Sequence, residues 1–214
     1  MKKQLIISLI AATGLLAGCA RTYTDKSANV EGQTFAVLPF DVQIVKNINV
    51  QRTTQAQLDQ QAKSEAYRYQ SSTYNYMLSK QKDFVIAFQD PEETNTMLKR
   101  SRITYEKLHD LTKAELATLL KVDGVMWGKM YRKEVMPQAM AKGIDILASQ
   151  NKLGIGPMTA NEVTMNLSLF SKPEKRVVWT YQLNVPGGAD ESPESISASL
   201  MNNAARKFPY RKRR

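Results

Sequence analysis

The chain of 214 residues contains one cysteine, Cys19, which closely follows its most hydrophobic stretch, Leu5 to Ala17. A cysteine can serve as a nucleophile, a metal ligand, a disulfide partner or a site of acylation. A lone cysteine cannot form an intramolecular disulfide, and a free thiol is reactive in an oxidising compartment. Acylation removes the thiol, so we expect Cys19 to be a lipid anchor rather than a nucleophile.

The residues around Cys19 favour this lipid chemistry. Lys2 and Lys3 precede the apolar run, which is shorter than the ~20 residues of a transmembrane helix, as in a secretory signal peptide. Leu16-Ala17-Gly18-Cys19 resembles a bacterial lipobox, which implies cleavage of residues 1–18 and membrane lipid as a first partner. The alternatives are an ordinary export signal and a short membrane anchor. By resemblance to enterobacterial sorting, Ala20 implies an outer-membrane lipoprotein that faces the periplasm.

The other residues that could support catalysis are isolated. His109 is the single histidine, so no nitrogen- or sulfur-rich metal site can be assembled. "GIGP" at 154–157 lacks the Lys-Ser/Thr ending of a phosphate loop, and no serine lies in a nucleophile-elbow motif. Acidic pairs such as Glu92 and Glu93 lie at predicted helix starts, where the helix dipole accounts for them. We therefore predict no enzymatic activity, no metal and no cofactor.

The formal net charge is +10, and it becomes +8 when Lys2 and Lys3 leave with the signal. A basic surface suits anionic lipid, cell-wall polymers or acidic envelope proteins. Nucleic acid is not expected as a partner of a chain tethered outside the cytoplasm. The chain ends in a basic tail, which is either a solvated end or an electrostatic attachment to anionic lipid or polymer. Its residues are Arg211, Lys212, Arg213 and Arg214.

Hydrophobic patterning predicts both strands and helices. Residues 19–33 are polar and aperiodic, and predict a flexible tether. The apolar runs at 35–40 and 83–88 predict buried strands, and Pro39 predicts an interruption of the first ladder. Further strands are predicted at 123–134, 161–171 and 176–185, the last two joined as an antiparallel hairpin by the turn 172–175.

Helices are predicted from apolar periodicity and from capping residues. The longest spans 54–80, a second begins at Asp90, and a third begins with the capping box of Thr112 and Glu115. Ser192 caps a closing helix. The predicted fold is α/β (α+β), a mixed sheet with a C-terminal hairpin and helices packed against it. It forms a single domain over 34–210, with an insertion near 136–158 and the tail at 211–214.

Two further features have alternative interpretations. Tyr67 and Tyr74, seven residues apart on the longest helix, form a stripe that could face a partner, although packing within the fold is the competing explanation. The segment 136–158 is either a partner- or membrane-contacting arm or a short helix laid over the sheet.

Several short motifs resemble one bacterial superfamily. "VLPF" at 37–40, "VDGVMWG" at 122–128 and Val178-Trp179 are similar to strands of the curli-secretion lipoproteins. This superfamily includes CsgG-like channel subunits, LpoB-like activators of penicillin-binding proteins and TolB-N-terminal-like domains. The resemblance implies a non-catalytic, lipid-anchored module that binds envelope proteins and can form homo-oligomers. The alternative is a subunit or accessory of an oligomeric outer-membrane secretion complex.

Overall fold

The strands of this protein form one mixed sheet with helices packed against it. A computed structural model describes residues 20–45, 54–134, 161–187 and 193–212. Its strands are β1 (Arg21–Thr24), β2 (Thr34–Val37), β3 (Asp41–Val45), β4 (Ala87–Gln89), β5 (Gly124–Glu134), β6 (Asn161–Ser171) and β7 (Arg176–Gly187). The described α-helices are α1 (Gln55–Ser79), α2 (Pro91–Arg100), α3 (Lys113–Leu119) and α4 (Pro193–Arg206).

The order of strands is β1-β7-β6-β5-β2-β4, with β3 also paired to β5. β2 and β3 both run parallel to β5, whereas β5, β6 and β7 are successively antiparallel. Pairing with β5 is interrupted between Val37 and Asp41, around Pro39, which has no N–H to donate. The predicted interruption, the predicted hairpin and the predicted fold class are confirmed.

The larger core lies between one face of the sheet and helices α1 and α4. Tyr69 of α1 packs against Phe40, with ring centroids 5.7 Å apart. α4 contributes Leu200 and Met201, and Tyr76 of α1 donates a hydrogen bond of 2.7 Å to Asn202. These contacts join both helices to the inward-facing side chains of the hairpin, including Leu167, Leu169, Trp179 and Tyr181.

A smaller core lies on the opposite face, over β2 and the first part of β5. Leu116 and Leu120 at α3 pack there with Ala36 and Val125. The start of α3 is fixed by the predicted capping box: the N–H of Thr112 donates to Oε2 of Glu115 at 2.8 Å, and the N–H of Glu115 donates to Oγ1 of Thr112 at 3.2 Å.

Residues 21–33 belong to the fold, so the prediction of a flexible tether over 19–33 is wrong for this part. Arg21 lies opposite Gln182, and β1 continues antiparallel to β7 as far as Thr24. Farther on, Val30 is buried. The prediction failed because a polar edge strand pairs its backbone with a neighbour and needs no apolar alternation to do so.

Two other elements differ from their predictions. The strand expected at 83–88 is confined to β4 and is preceded by a 3-10 turn at Gln81–Asp83. The tail expected to begin at residue 211 is attached there, because Arg211 pairs with Phe84 and the N–H of Lys212 donates to the carbonyl of Asp83 at 2.9 Å. β3 was not predicted.

Candidate partner-binding surface

The sheet has two ends with different surroundings. Val45 lies opposite Lys133, and Asn161 lies opposite both Glu134 and Gly187. Those residues mark the end of the sheet toward which the N-terminus of β1 points, and we call it the anchor end. The opposite, distal end is marked by Gly124, Ser171, Arg176 and the turn 172–175.

The register of β1 fixes how far the distal end lies from the N-terminus. Arg21 is paired with Gln182, six residues along β7 from Arg176, which corresponds to about 20 Å of strand. Cys19 lies outside the described residues, but two residues span at most about 7 Å. A membrane anchor at Cys19 would therefore hold the domain close to the bilayer.

A shallow groove, wide open to solvent, lies at the distal end between α3 and the β6–β7 turn. It has a volume of about 940 Å³. Its floor contains Leu119 and Phe170, both half-buried, and Ala114. Lys113, Lys172 and Lys175 are also among the residues that line it. We call this feature the distal groove.

The backbone of the β6–β7 turn holds the two turn lysines in place. The N–H of Lys172 donates to the carbonyl of Asp123 at 2.7 Å, and the N–H of Lys175 donates to the carbonyl of Lys172 at 3.1 Å. Oδ2 of Asp123 in turn accepts from the N–H of Thr34 at 2.8 Å. Lys175 has φ of +54°, in the left-handed region that favours glycine.

The electrostatics of the groove are positive. Burial, followed by the nearby Lys129, lowers the pKa of Lys113, whose Nζ lies 5.4 Å from the centre of the Trp127 ring. The one carboxylate that lines the groove, Glu115, is engaged by Thr112, and these hydrogen bonds lower its pKa. Lys172 and Lys175 have no carboxylate partner among the described residues.

The tyrosines predicted for a partner are both half-buried. The Tyr67 ring lies 6.3 Å from that of Tyr105. Partial burial, followed by the charge of Asp90, raises the pKa of Tyr74, which also hydrogen-bonds to that carboxylate. Each side chain thus has contacts within the fold, and a role toward a partner stays a prediction.

The predicted tail residues are only partly described. The guanidinium of Arg211 donates a hydrogen bond to the carbonyl of Ala205, and the side chain of Lys212 is exposed. Arg213 and Arg214 lie outside the described residues, as do Cys19, the signal segment, the Ser192 cap and the insertion.

A second exposed region lies on the sheet face that also carries Phe170, toward the anchor end. Tyr23 of β1 is 53% exposed and Tyr131 of β5 is 39% exposed. Between them, β6 presents the partly exposed side chains of Thr164, Asn166 and Ser168. This polar and aromatic surface is distinct from the two apolar cores.

Within the described ranges, no cluster of three or more His, Cys, Asp or Glu side chains could hold a metal ion. No described helix combines the length and apolarity that a membrane span requires. The exposed His109 ring lies edge-on to the Tyr105 ring, with the two ring centroids 6.2 Å apart.

The distal groove was not predicted from the sequence, although one signal was available. Strict alternation along β6 places Leu167 and Leu169 in the core, so Phe170 must point to the other face. A phenylalanine in this outward position, followed by two lysines in the next five residues, indicates an apolar spot with a basic border.

Neither a family model nor a curated protein matches this chain. The chain is similar to several solved structures. A PelC dodecamer from Paraburkholderia phytofirmans is 13% identical with a TM-score of 0.45, over 92% of this chain and 99% of that one. The lipoprotein GNA1162 from Neisseria meningitidis is 10% identical with a TM-score of 0.38, over 82% and 95%.

The C-terminal domain of LpoB from Salmonella enterica is 6% identical with a TM-score of 0.36, over 76% of this chain and 88% of that domain. At these identities and TM-scores, the similarities assign no function. LpoB, named in the sequence resemblance, is thus among the structural neighbours, whereas the CsgG-like and TolB-like resemblances stay predictions.

Proposed function

We propose that this chain is a lipid-anchored protein of the bacterial outer membrane that faces the periplasm and binds other envelope proteins without catalysing a reaction. The observation that carries the proposal is the position of β1. This strand starts two residues after the lipobox-like cysteine and is paired with β7 from Arg21 onward. The acyl chains would therefore act on the folded domain directly, with no flexible segment between.

This arrangement gives the anchor a physical role in binding. Confinement of the domain to the membrane plane raises the effective concentration of partners in the same membrane or next to it. A short link also restricts the orientation of the domain. With the anchor end held at the bilayer, the distal groove is presented on the side away from it, toward proteins of the periplasm.

The intact mass of the protein extracted from membranes tests the anchor. We expect the chain from Cys19 onward with acyl groups attached, and we expect a Cys19→Ser variant to keep residues 1–18 and to lack the lipid. An unmodified mature chain would refute the lipid anchor. A hydrolytic or transfer activity on envelope substrates would refute the non-catalytic role.

Self-association is a second candidate function, as in a subunit of a secretion complex. It is favoured by the exposed tyrosines on the sheet face toward the anchor end, because tyrosine is enriched at protein interfaces. Light scattering of the acylated protein in detergent measures the oligomeric state. A discrete ring that dissociates in Tyr131→Ser would support this candidate, and a monomer would refute it.

A further inference from the structure

We propose that the distal groove binds an acidic amphipathic segment of a partner protein. Apolar side chains of this segment would lie on Phe170 and Leu119, and its carboxylates would pair with the surrounding lysines. The inference rests on the proposed function only in so far as the partner is an envelope protein. The binding itself is independent of acylation and can be measured separately.

The floor of the groove is apolar, whereas the other side chains on the same face of β6 are polar. Thr164, Asn166 and Ser168 precede Phe170 on the same face of the strand. Phe170 is the one apolar residue in this outward-facing series. It lies beside Leu119 of α3, and both side chains are only half-buried. A volume of about 940 Å³ accommodates several side chains of one helical face.

The lysines that line the groove favour an occupant with negative charge. Three lysines, Lys113, Lys172 and Lys175, line the groove, and its one acidic residue, Glu115, accepts two hydrogen bonds from Thr112. Glu115 stays ionised when it accepts these bonds, so three lysines against one glutamate leave the lining with a formal charge of +2. Such an arrangement attracts carboxylates and disfavours a basic segment.

The side chain of Lys175 is exposed, and the backbone at this position accepts glycine without strain. A non-glycine residue in the left-handed region costs about 1 kcal/mol relative to glycine. Lys175 has φ of +54° and an exposed side chain with no carboxylate partner among the described residues. A glycine substitution therefore removes this ammonium group without straining the turn.

Two other occupants fit the observations less well. Anionic lipid is disfavoured because the groove lies about 20 Å along β7 from the level of Arg21, at the end opposite the anchor. A second copy that docks groove to groove is disfavoured because both grooves carry the same lysines and repel each other.

The test uses the full acylated chain in nanodiscs of zwitterionic phosphatidylcholine. The probe is a fluorescent amphipathic peptide of about four helical turns, with leucines on one face and glutamates beside them, and its counterpart has lysines in place of the glutamates. We expect the anisotropy to show that the acidic peptide binds at least about tenfold more tightly than the basic one. Equal affinity for both peptides would overturn the proposal.

Lys175→Gly and Lys121→Gly form a matched pair of variants. Both replace a lysine in the left-handed region, at φ of +54° and +55°, and only Lys175 lines the groove. Both variants should be at least as stable as the parent. We expect Lys175→Gly, and more strongly Lys172→Glu, to weaken the acidic peptide by about three- to tenfold, with no change in Lys121→Gly.

The remaining outcomes separate the other occupants. If Lys175→Gly and Lys121→Gly weakened binding of the acidic peptide equally, the net charge of the protein alone would attract the peptide. That result would overturn the proposal. Binding of phosphatidylglycerol vesicles that is lost in Lys172→Glu, without peptide binding, would assign the groove to lipid. Dimerisation lost in the same variant would assign it to a second copy. Peptide binding by a chain that is not acylated would leave this inference intact while the proposed anchor fails.

Discussion

Replacing Arg132 with leucine should destabilise this protein far more than an ordinary surface substitution. Nη2 of Arg132 on β5 lies 2.9 Å from Oε1 of Glu65 on α1, and their side chains are only 12% and 3% exposed. The other donor to Glu65 is Nε2 of Gln61 at 2.9 Å, and Oε2 of Glu65 has no hydrogen-bond partner. Without the guanidinium, this buried carboxylate loses its ion pair with Arg132 and one of the two hydrogen bonds that it accepts from described residues.

Removing one partner of a buried ion pair costs about 3–5 kcal/mol. The double variant Glu65→Leu with Arg132→Leu removes both charges and should recover most of this loss, because no charge is left buried. Urea unfolding followed by circular dichroism measures all four members of this cycle. A loss below about 1 kcal/mol in Arg132→Leu would show that the pair is solvated like a surface ion pair. The packing of α1 on β5 would then need revision.

Three further predictions concern packing and pH. Gly128→Ala would place Cβ 2.5 Å from Cζ of the buried Phe40 ring, so we expect a loss of about 1–3 kcal/mol in urea unfolding. Phe208→Ala, after α4, should cost about 3–5 kcal/mol in the same assay because this ring is buried among other aromatic rings. The hydrogen bond from Lys63 lowers the pKa of Glu106 from 4.5 to about 2, so this pair stabilises the fold above pH 4.5 and its contribution is lost as the pH falls through about 2. Thermal unfolding between pH 5 and pH 2 should therefore depend less on pH in Glu106→Gln than in the parent.

Local signals in the sequence predicted the elements that depend on neighbouring residues. The capping box of Thr112 and Glu115 is present, and Asp90 accepts from the N–H of Glu92 at 2.7 Å as the cap of α2. Pro39 interrupts the ladder as expected, because its missing N–H acts wherever the chain is placed. Such signals need no knowledge of distant segments.

Elements stabilised by distant contacts were missed. β1 depends on β7, more than 150 residues later, and its own residues are polar. The stripe of Tyr67 and Tyr74 was predictable from helical spacing, but its contacts with Tyr105 and Asp90 arise from a segment that packs back onto α1. The distal groove likewise combines α3 with the β6–β7 turn, some 60 residues apart.

The central claim is that the anchor end faces the membrane and the distal groove faces partner proteins. Site-specific photo-crosslinking in intact cells tests it most directly, with the crosslinker placed at Lys175 in the groove or at Asn184 toward the anchor end. We predict that position 175 forms an adduct with an acidic segment of an envelope protein, that Lys172→Glu abolishes this adduct, and that position 184 crosslinks to lipid. Adducts with lipid from position 175, or the same protein adduct with and without Lys172→Glu, would contradict this account.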